Sequence, residues 1–160
     1  MRPLTLLVAA AVTAGCTAQA PPAPPLGTTP PASTVTPEFV NLVEPWPFPF
    51  SSAVRAGDLI FVSGQIGSEM DDGQPTLVSG GIEAETRQTL ENIKAILAKA
   101  GSSLEKVVKC SVMMADMAEW PRMNTIYATY FPGPKPARSA WGANGLALNA
   151  RVEIECLALR

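Results

Sequence analysis

The end of the chain constrains the fold most. From residue 151 onward, Val152, Ile154, Cys156 and Ala158 alternate with Glu153, Glu155 and Leu157. A period of two is the signature of a half-buried strand, apolar on one side and mixed on the other. Glu153 stands in the middle of that strand, where a carboxylate needs a partner. Arg138, in the strand-like stretch 137–143 just before it, is a candidate. A terminal strand of this kind requires a sheet for it to join and a layer to cover its apolar side.

The preceding chain supplies both. Residues 51–55 and 58–66 have strand composition, joined at Ala56 and Gly57 as a hairpin. In the second of these, Ile60, Val62, Gly64 and Ile66 are expected on one face, with Phe61, Ser63 and Gln65 on the other. Residues 104–114 form a further strand, with Val108, Cys110, Val112 and Met114 sharing a face. Two stretches carry the helical period instead. Residues 82–100 place Leu90, Ile93, Leu97 and Ala100 on one stripe, with Gly101 as C-cap and Glu83 four before Arg87. Residues 117–131 place Ile126, Tyr127 and Tyr130 at helical spacing, with Pro121 near the first turn. Residues 68–74, with Asp71, Asp72 and Gly73, are expected as a polar loop without the spacing of a calcium-binding loop. The order β-β-α-β-α-β-β predicts an α+β domain: one mixed sheet with two helices on one face. The other face carries Ser63, Gln65, Ser111 and Glu153 among larger apolar groups, which suits association of subunits.

The N-terminal third differs in kind. Arg2 precedes an apolar run, 4–12, far short of the roughly 20 residues that span a bilayer. Ala14 and Gly15 then lead to Cys16. Residues 1–16 are expected to be an export signal, with Cys16 a lipidation site or, alternatively, with ordinary secretory cleavage after Ala18 or Ala20. Residues 17–46 are rich in Pro, Ala, Thr and Ser and predict an extended linker rather than a packed layer. The domain is expected over 47–160, with Trp46, Phe48 and Phe50 packed at its entry.

The charge balance excludes some functions. Net charge is −2, without the basic footprint of a nucleic-acid binder, so no nucleic-acid partner is expected. There is no histidine, which removes the commonest metal ligand and general base. The three cysteines, 16, 110 and 156, lack metal-ligand spacing. Cys110 and Cys156 fall on apolar strand faces and are expected to be buried free thiols, since adjacent strands hold a bridge poorly.

Four stretches in order carry a resemblance: SGQIG at 63–67, TRQTLENIKAILAKAG at 86–101, MNTIYATYF at 123–131, and PARS followed by VEIE from 136 to 155. Together they resemble the Rid family, the YjgF-like reactive-intermediate imine deaminases, over roughly 47–160. The N-terminal segment resembles a bacterial lipoprotein signal, with Thr13 where that motif usually has an aliphatic residue. The Rid resemblance implies a chorismate-mutase-like α+β fold, a homotrimer and clefts between subunits. It implies hydrolysis of amino-acid-derived 2-imino acids to 2-keto acids and ammonia, without metal or organic cofactor. Arg138 is then the clamp for the substrate carboxylate and Glu153 the acid that orients water. Gly64 and Asn124 line the cleft, as do Phe50 and Ala140, which are departures. Deaminating members often have Tyr where Phe50 stands and Cys where Ala140 stands, and a Gln near Ser52. Loss of the phenol removes one hydrogen bond at the rim. The ligand implied is a small imino or keto acid, and membrane contact would come through a lipid on Cys16, in the cell envelope. An alternative on the same fold is a non-catalytic small-carboxylate binder or a holdase-like envelope protein, with Arg138 and Glu153 as a structural ion pair.

Overall fold

The computed structural model describes residues 35–160. The expectations for residues 1–16 and Cys16, and for most of the linker, lie outside the described residues. The elements are β1 (Glu38–Val40), β2 (Ala53–Ala56), β3 (Leu59–Ile66), β4 (Ser68–Asp71), β5 (Gln74–Leu77), α1 (Gly81–Lys99), β6 (Val107–Met114), α2 (Trp120–Tyr130), β7 (Ala137–Gly142) and β8 (Val152–Leu159). Six strands form one sheet in the order β1-β2-β3-β8-β6-β7, and β4 and β5 make a separate hairpin. Every neighbouring pair in the large sheet is antiparallel except β6 and β7, which α2 joins by a crossover. The expected α+β class, mixed sheet and two-helix layer are all present.

The core lies between that layer and the sheet. Ile82, Leu90, Ile93, Ile96 and Leu97 of α1 pack with Ile60, Val62, Val112, Val152 and Ile154 of the sheet. Met123 and Tyr127 add the inward side of α2. Truncating any one of the large aliphatic groups would cost about 2–5 kcal/mol. Helix α1 ends as its sequence predicts. Gly101 takes a left-handed φ of 80°. Its N–H donates to Ala98 O and that of Ser102 to Leu97 O, so two orphan carbonyls of the last turn are satisfied.

The structure departs from the sequence expectations in six places. The first strand, Glu38–Val40, falls inside the stretch expected to be linker and pairs with β2. The expected loop at 68–74 is a hairpin instead. Asp72 and Gly73, both at positive φ, make the tight turn, an Asp-Gly pair that favours two-residue hairpins. Two register shifts move side chains to the other face. One lies between Val107 and Lys109, so Val107 is buried and Val108 exposed. The other lies between Val62 and Gln65, so Ile66 stands opposite Glu153, on the face away from the helices. Glu83 pairs not with Arg87 but across to α2, where its two oxygens accept from Arg122 at 2.6 and 2.5 Å. Finally, Cys110 and Cys156 are not free thiols. They oppose one another in the β6–β8 ladder with Cα atoms 4.1 Å apart, and are joined by a disulfide. The close pairs of an antiparallel ladder bring two side chains on one face within bonding reach.

Candidate functional site

Two clusters of the expected site residues form, and within one chain they do not meet. The first surrounds Glu153. Buried Val152 and Ile154 fix β8, so Glu153 points to the face away from the helices. Helix α1 holds both strands that frame it. The buried Glu85 accepts from the backbone N–H of Arg151 at 2.7 Å, two residues before Glu153. Asn92 donates to the carbonyls of Ile66 and Ser68, at 3.2 and 2.8 Å. Gly67 lets the helix approach so closely: a Cβ there would lie 2.5 Å from the Glu85 Cα.

The bulge in β3 brings Gly64 against the Glu153 carboxylate. A Cβ on Gly64 would lie 2.0 Å from Glu153 Oε1, so any side chain would displace the acid. Gln65 donates to the Ser63 and Gly64 carbonyls at 3.1 and 3.0 Å, satisfying backbone that the bulge takes out of the ladder. Ser63 Oγ donates to Ser51 O at 2.7 Å and ties the bulge to the entry strand. Ser52 is buried; its N–H donates to Asn41 Oδ1 and its hydroxyl accepts from Leu42 N–H, each at 3.2 Å. That holds the entry segment over the sheet end.

A cavity of about 490 Å³ opens beside Glu153. Trp46, Phe48 and Phe50 form one wall, with Phe48 and Phe50 stacked at 5.6 Å between ring centres. Met70 of the β4–β5 hairpin and Leu148 of the β7–β8 loop form others. Its charged lining is Glu153 and Glu69. Burial, and secondarily the charge of Glu155, pushes the Glu153 carboxyl above the ordinary carboxylate range.

The second cluster lies at the β7 edge. Arg138 stands opposite Cys110 on the helix side of the sheet. Its guanidinium lies over the Tyr127 ring, 4.6 Å from the centroid, and 5.8 Å from that of Trp120. Trp120, Asn124 and Tyr127 share one stripe of α2 by their spacing, so exposed Asn124 belongs to the same surface. Ala140 follows on the Arg138 side of β7 and packs against the core. Burial raises the Tyr127 hydroxyl to about 12, an effect that Arg138 opposes.

Within one chain Arg138 and Glu153 do not pair. Strand β6 runs between β7 and β8, and the two side chains leave opposite faces of the sheet. Two ladder spacings across and three residues along put them about 14 Å apart. Strands successive in sequence are not neighbours here: the crossover through α2 inserts β7 outside β6. The aromatic bed of Arg138 is absent from the sequence expectations, although Trp120 and Tyr127 are seven residues apart in a predicted helix. Met70 reaches the cavity only because residues 68–77 form a hairpin, whose one sequence signal is the Asp72-Gly73 pair.

The family model described as Endoribonuclease L-PSP matches residues 45–160. The chloroplastic Reactive Intermediate Deaminase A of Arabidopsis thaliana is 44% identical over 110 residues, 69% of this chain and 58% of that longer protein. The 2-iminobutanoate/2-iminopropanoate deaminase of Mus musculus is 43% identical over 112 residues, 70% of this chain and 82% of its own. The crystal structure of yeast Mmf1 superposes with a TM-score of 0.72 at 36% identity, covering 78% of this chain and 99% of that one. TdcF of E. coli, solved with bound serine, has a TM-score of 0.65 at 26% identity and covers 76% and 93%. On this breadth of agreement in sequence and fold, the chain belongs to the Rid family, the YjgF-like or L-PSP proteins.

Proposed function

We propose that this chain hydrolyses 2-imino acids to 2-keto acids and ammonia, in clefts completed by neighbouring copies of a homotrimer. The observation that carries this reading is the division of the site. Glu153 lies beside a cavity whose charged lining is acidic, while Arg138 lies at the β7 edge on the other side of the sheet. A substrate carboxylate needs the second and a water needs the first, so one copy must supply each. The face away from the helices favours such assembly. Phe39, Val54, Phe61 and Leu157 form one continuous cross-strand row on it. Phe39, Phe61 and Trp141 are 69%, 49% and 44% exposed, an apolar surface that association would cover.

The chemistry is modest. Arg138 binds the carboxylate through two parallel N–H donors, its guanidinium steadied on the Tyr127 ring. Glu153 accepts a proton from water as its oxygen bonds to the imine carbon. It passes that proton to the imine nitrogen, then carries the proton of the new hydroxyl to the same nitrogen as the C–N bond breaks, the carbonyl forms and ammonia leaves. A carboxyl held above its ordinary range suits this exchange near neutral pH. The names of the mouse and Arabidopsis relatives support the reaction, and the serine bound to the E. coli relative supports a small amino-acid-like ligand. The acidic cavity argues against a polyanionic substrate such as RNA.

Export belongs to the same proposal. The apolar run 4–12 and Cys16 support a lipid-anchored or secreted envelope protein, and a Cys110–Cys156 disulfide suits an oxidising compartment. Cys16→Ser should move a membrane-bound protein to the soluble fraction; a soluble wild type processed later in the chain leaves secretion alone. The second reading, a non-catalytic carboxylate binder, is favoured by Phe50, which borders the cavity without a hydroxyl.

Subunit mixing tests the divided site. Arg138→Ala and Glu153→Gln chains, each inactive alone, should regain about one quarter of wild-type ammonia release when refolded together in equal amounts. No recovery from well-formed mixed trimers would place both residues in one chain's site, against the proposal. No activity in wild type or in Phe50→Tyr would favour the binder.

A further inference from the structure

The cavity beside Glu153 is larger and more apolar than a two- or three-carbon imine requires. At about 490 Å³ it lies within the range that accommodates drug-sized ligands, about 300–1,000 Å³. Its walls are aromatic and aliphatic: Trp46, Phe48, Phe50, Met70 and Leu148. The rings are mutually supported rather than loose, with Trp46 edge-on to Phe48 at 5.0 Å and to Phe50 at 6.3 Å. Leu148 is held at φ 57°, a left-handed backbone that a branched side chain rarely adopts. Its side chain is half exposed there, at the edge of the cavity. An apolar group kept in that position suggests a ligand contact rather than core packing.

Charge sets the orientation of a bound imino acid. The acidic side chains of the lining are Glu153 and Glu69 and no basic one joins them, so the interior disfavours a substrate carboxylate, which stays towards Arg138. The imine nitrogen and its carbon come next to Glu153. The remaining substituent, the amino-acid side chain, is the part left to enter the apolar volume. We propose that this chain is specific for 2-imino acids with bulky apolar side chains, of the leucine, methionine and phenylalanine type, over the alanine type. Trp46, Phe48, Met70 and Leu148 determine that specificity. The inference rests on the deaminase reading for its reaction, but the cavity's preference among side chains is a separate property.

The test uses imines generated in place by an amino-acid oxidase, followed as ammonia release by the oligomeric protein. Wild type should turn over the leucine- and phenylalanine-derived imines with kcat/KM at least tenfold above the alanine-derived one, the scale of discrimination that extra methylenes in an apolar pocket provide. Leu148→Ala and Phe48→Ala should reduce that ratio at least fivefold, chiefly through KM. Leu148, being exposed, should be replaceable without loss of the fold. An equal or reversed preference in wild type, or an unchanged ratio in both variants, overturns the assignment. Should wild type release no ammonia from any imine, the deaminase reading falls, and calorimetric binding of keto acids decides the specificity. At least tenfold tighter binding of 4-methyl-2-oxopentanoate than of pyruvate upholds it; equal or weaker binding overturns it.

Discussion

Removing the Cys110–Cys156 bond should be among the costliest changes to stability that leave the site residues untouched. The bond joins the two central strands β6 and β8, and its 46-residue loop contains all of α2 and β7. The strand that carries Arg138 and the helix whose Trp120 and Tyr127 lie under it are therefore inside one covalent ring. Closing a loop of that length restricts the unfolded chain, and loop entropy puts the stabilisation at about 4 kcal/mol. Both cysteines are buried, so Cys110→Ala/Cys156→Ala adds a smaller packing loss. At a few degrees per kcal/mol for a domain of this size, the double variant should melt roughly 10–15 °C below wild type. Urea unfolding followed by far-UV circular dichroism, at one fixed protomer concentration, gives the free energy without a contribution from changing assembly. A loss under about 1 kcal/mol would refute the reasoning. So would two free thiols by mass spectrometry of the folded wild type.

Gly64→Ala should fold but lose most activity, because the new methyl occupies the place of the Glu153 carboxylate; an unimpaired kcat would contradict the close approach of the two residues. Glu153 has a raised folded-state pKa, so its contribution to stability is full below the ordinary 4.5 and is lost as pH rises through the folded value. Glu153→Gln should therefore gain stability relative to wild type as pH increases above 4.5, while losing turnover by roughly 10²–10⁴-fold; a pH-independent stability difference would argue against the raised pKa. Tyr127→Phe keeps the ring under Arg138 and removes a buried hydroxyl that has no hydrogen-bond partner among the described residues, so stability should hold or rise and KM should change little. Tyr127→Leu removes the ring and should raise KM several-fold, the scale of a cation–π contact of about 0.5–1 kcal/mol; equal KM for the two variants would count against ring support of the clamp.

The elements that the sequence made plain are those governed by one period. The alternation through β8 and the 3.6-residue stripe of α1 each reflect one buried face along their whole length, and both appear as expected. The misjudged elements change period or depend on partners distant in sequence. Ile66 and Val108 were placed on the wrong face because a bulge exchanges faces, and neither bulge has a composition of its own. The disulfide depended on which strands become neighbours, as did the relation of Arg138 to Glu153. Gly64 and Phe50 were identified beside Glu153 through the family resemblance alone, since no local pattern links residues 50, 64 and 153.

The bulge at Ser63 and Gly64 has a consequence for how mutations will be tolerated along β3. In a regular ladder, permissive and intolerant positions alternate from end to end. Here the first half of the strand is bound to the core at Ile60 and Val62, with Phe61 facing away from the helices. Beyond the bulge the phase reverses: Gln65 stands opposite buried Ile154 and Ile66 opposite Glu153. A saturation scan should therefore show alternating sensitivity that loses its rhythm at residues 63–64 and resumes one step out of phase. Stability should govern the first half of the record and ligand chemistry the second. Deleting a single residue at 63–64 would restore an uninterrupted ladder and, with it, remove the glycine gap in which the Glu153 carboxylate rests.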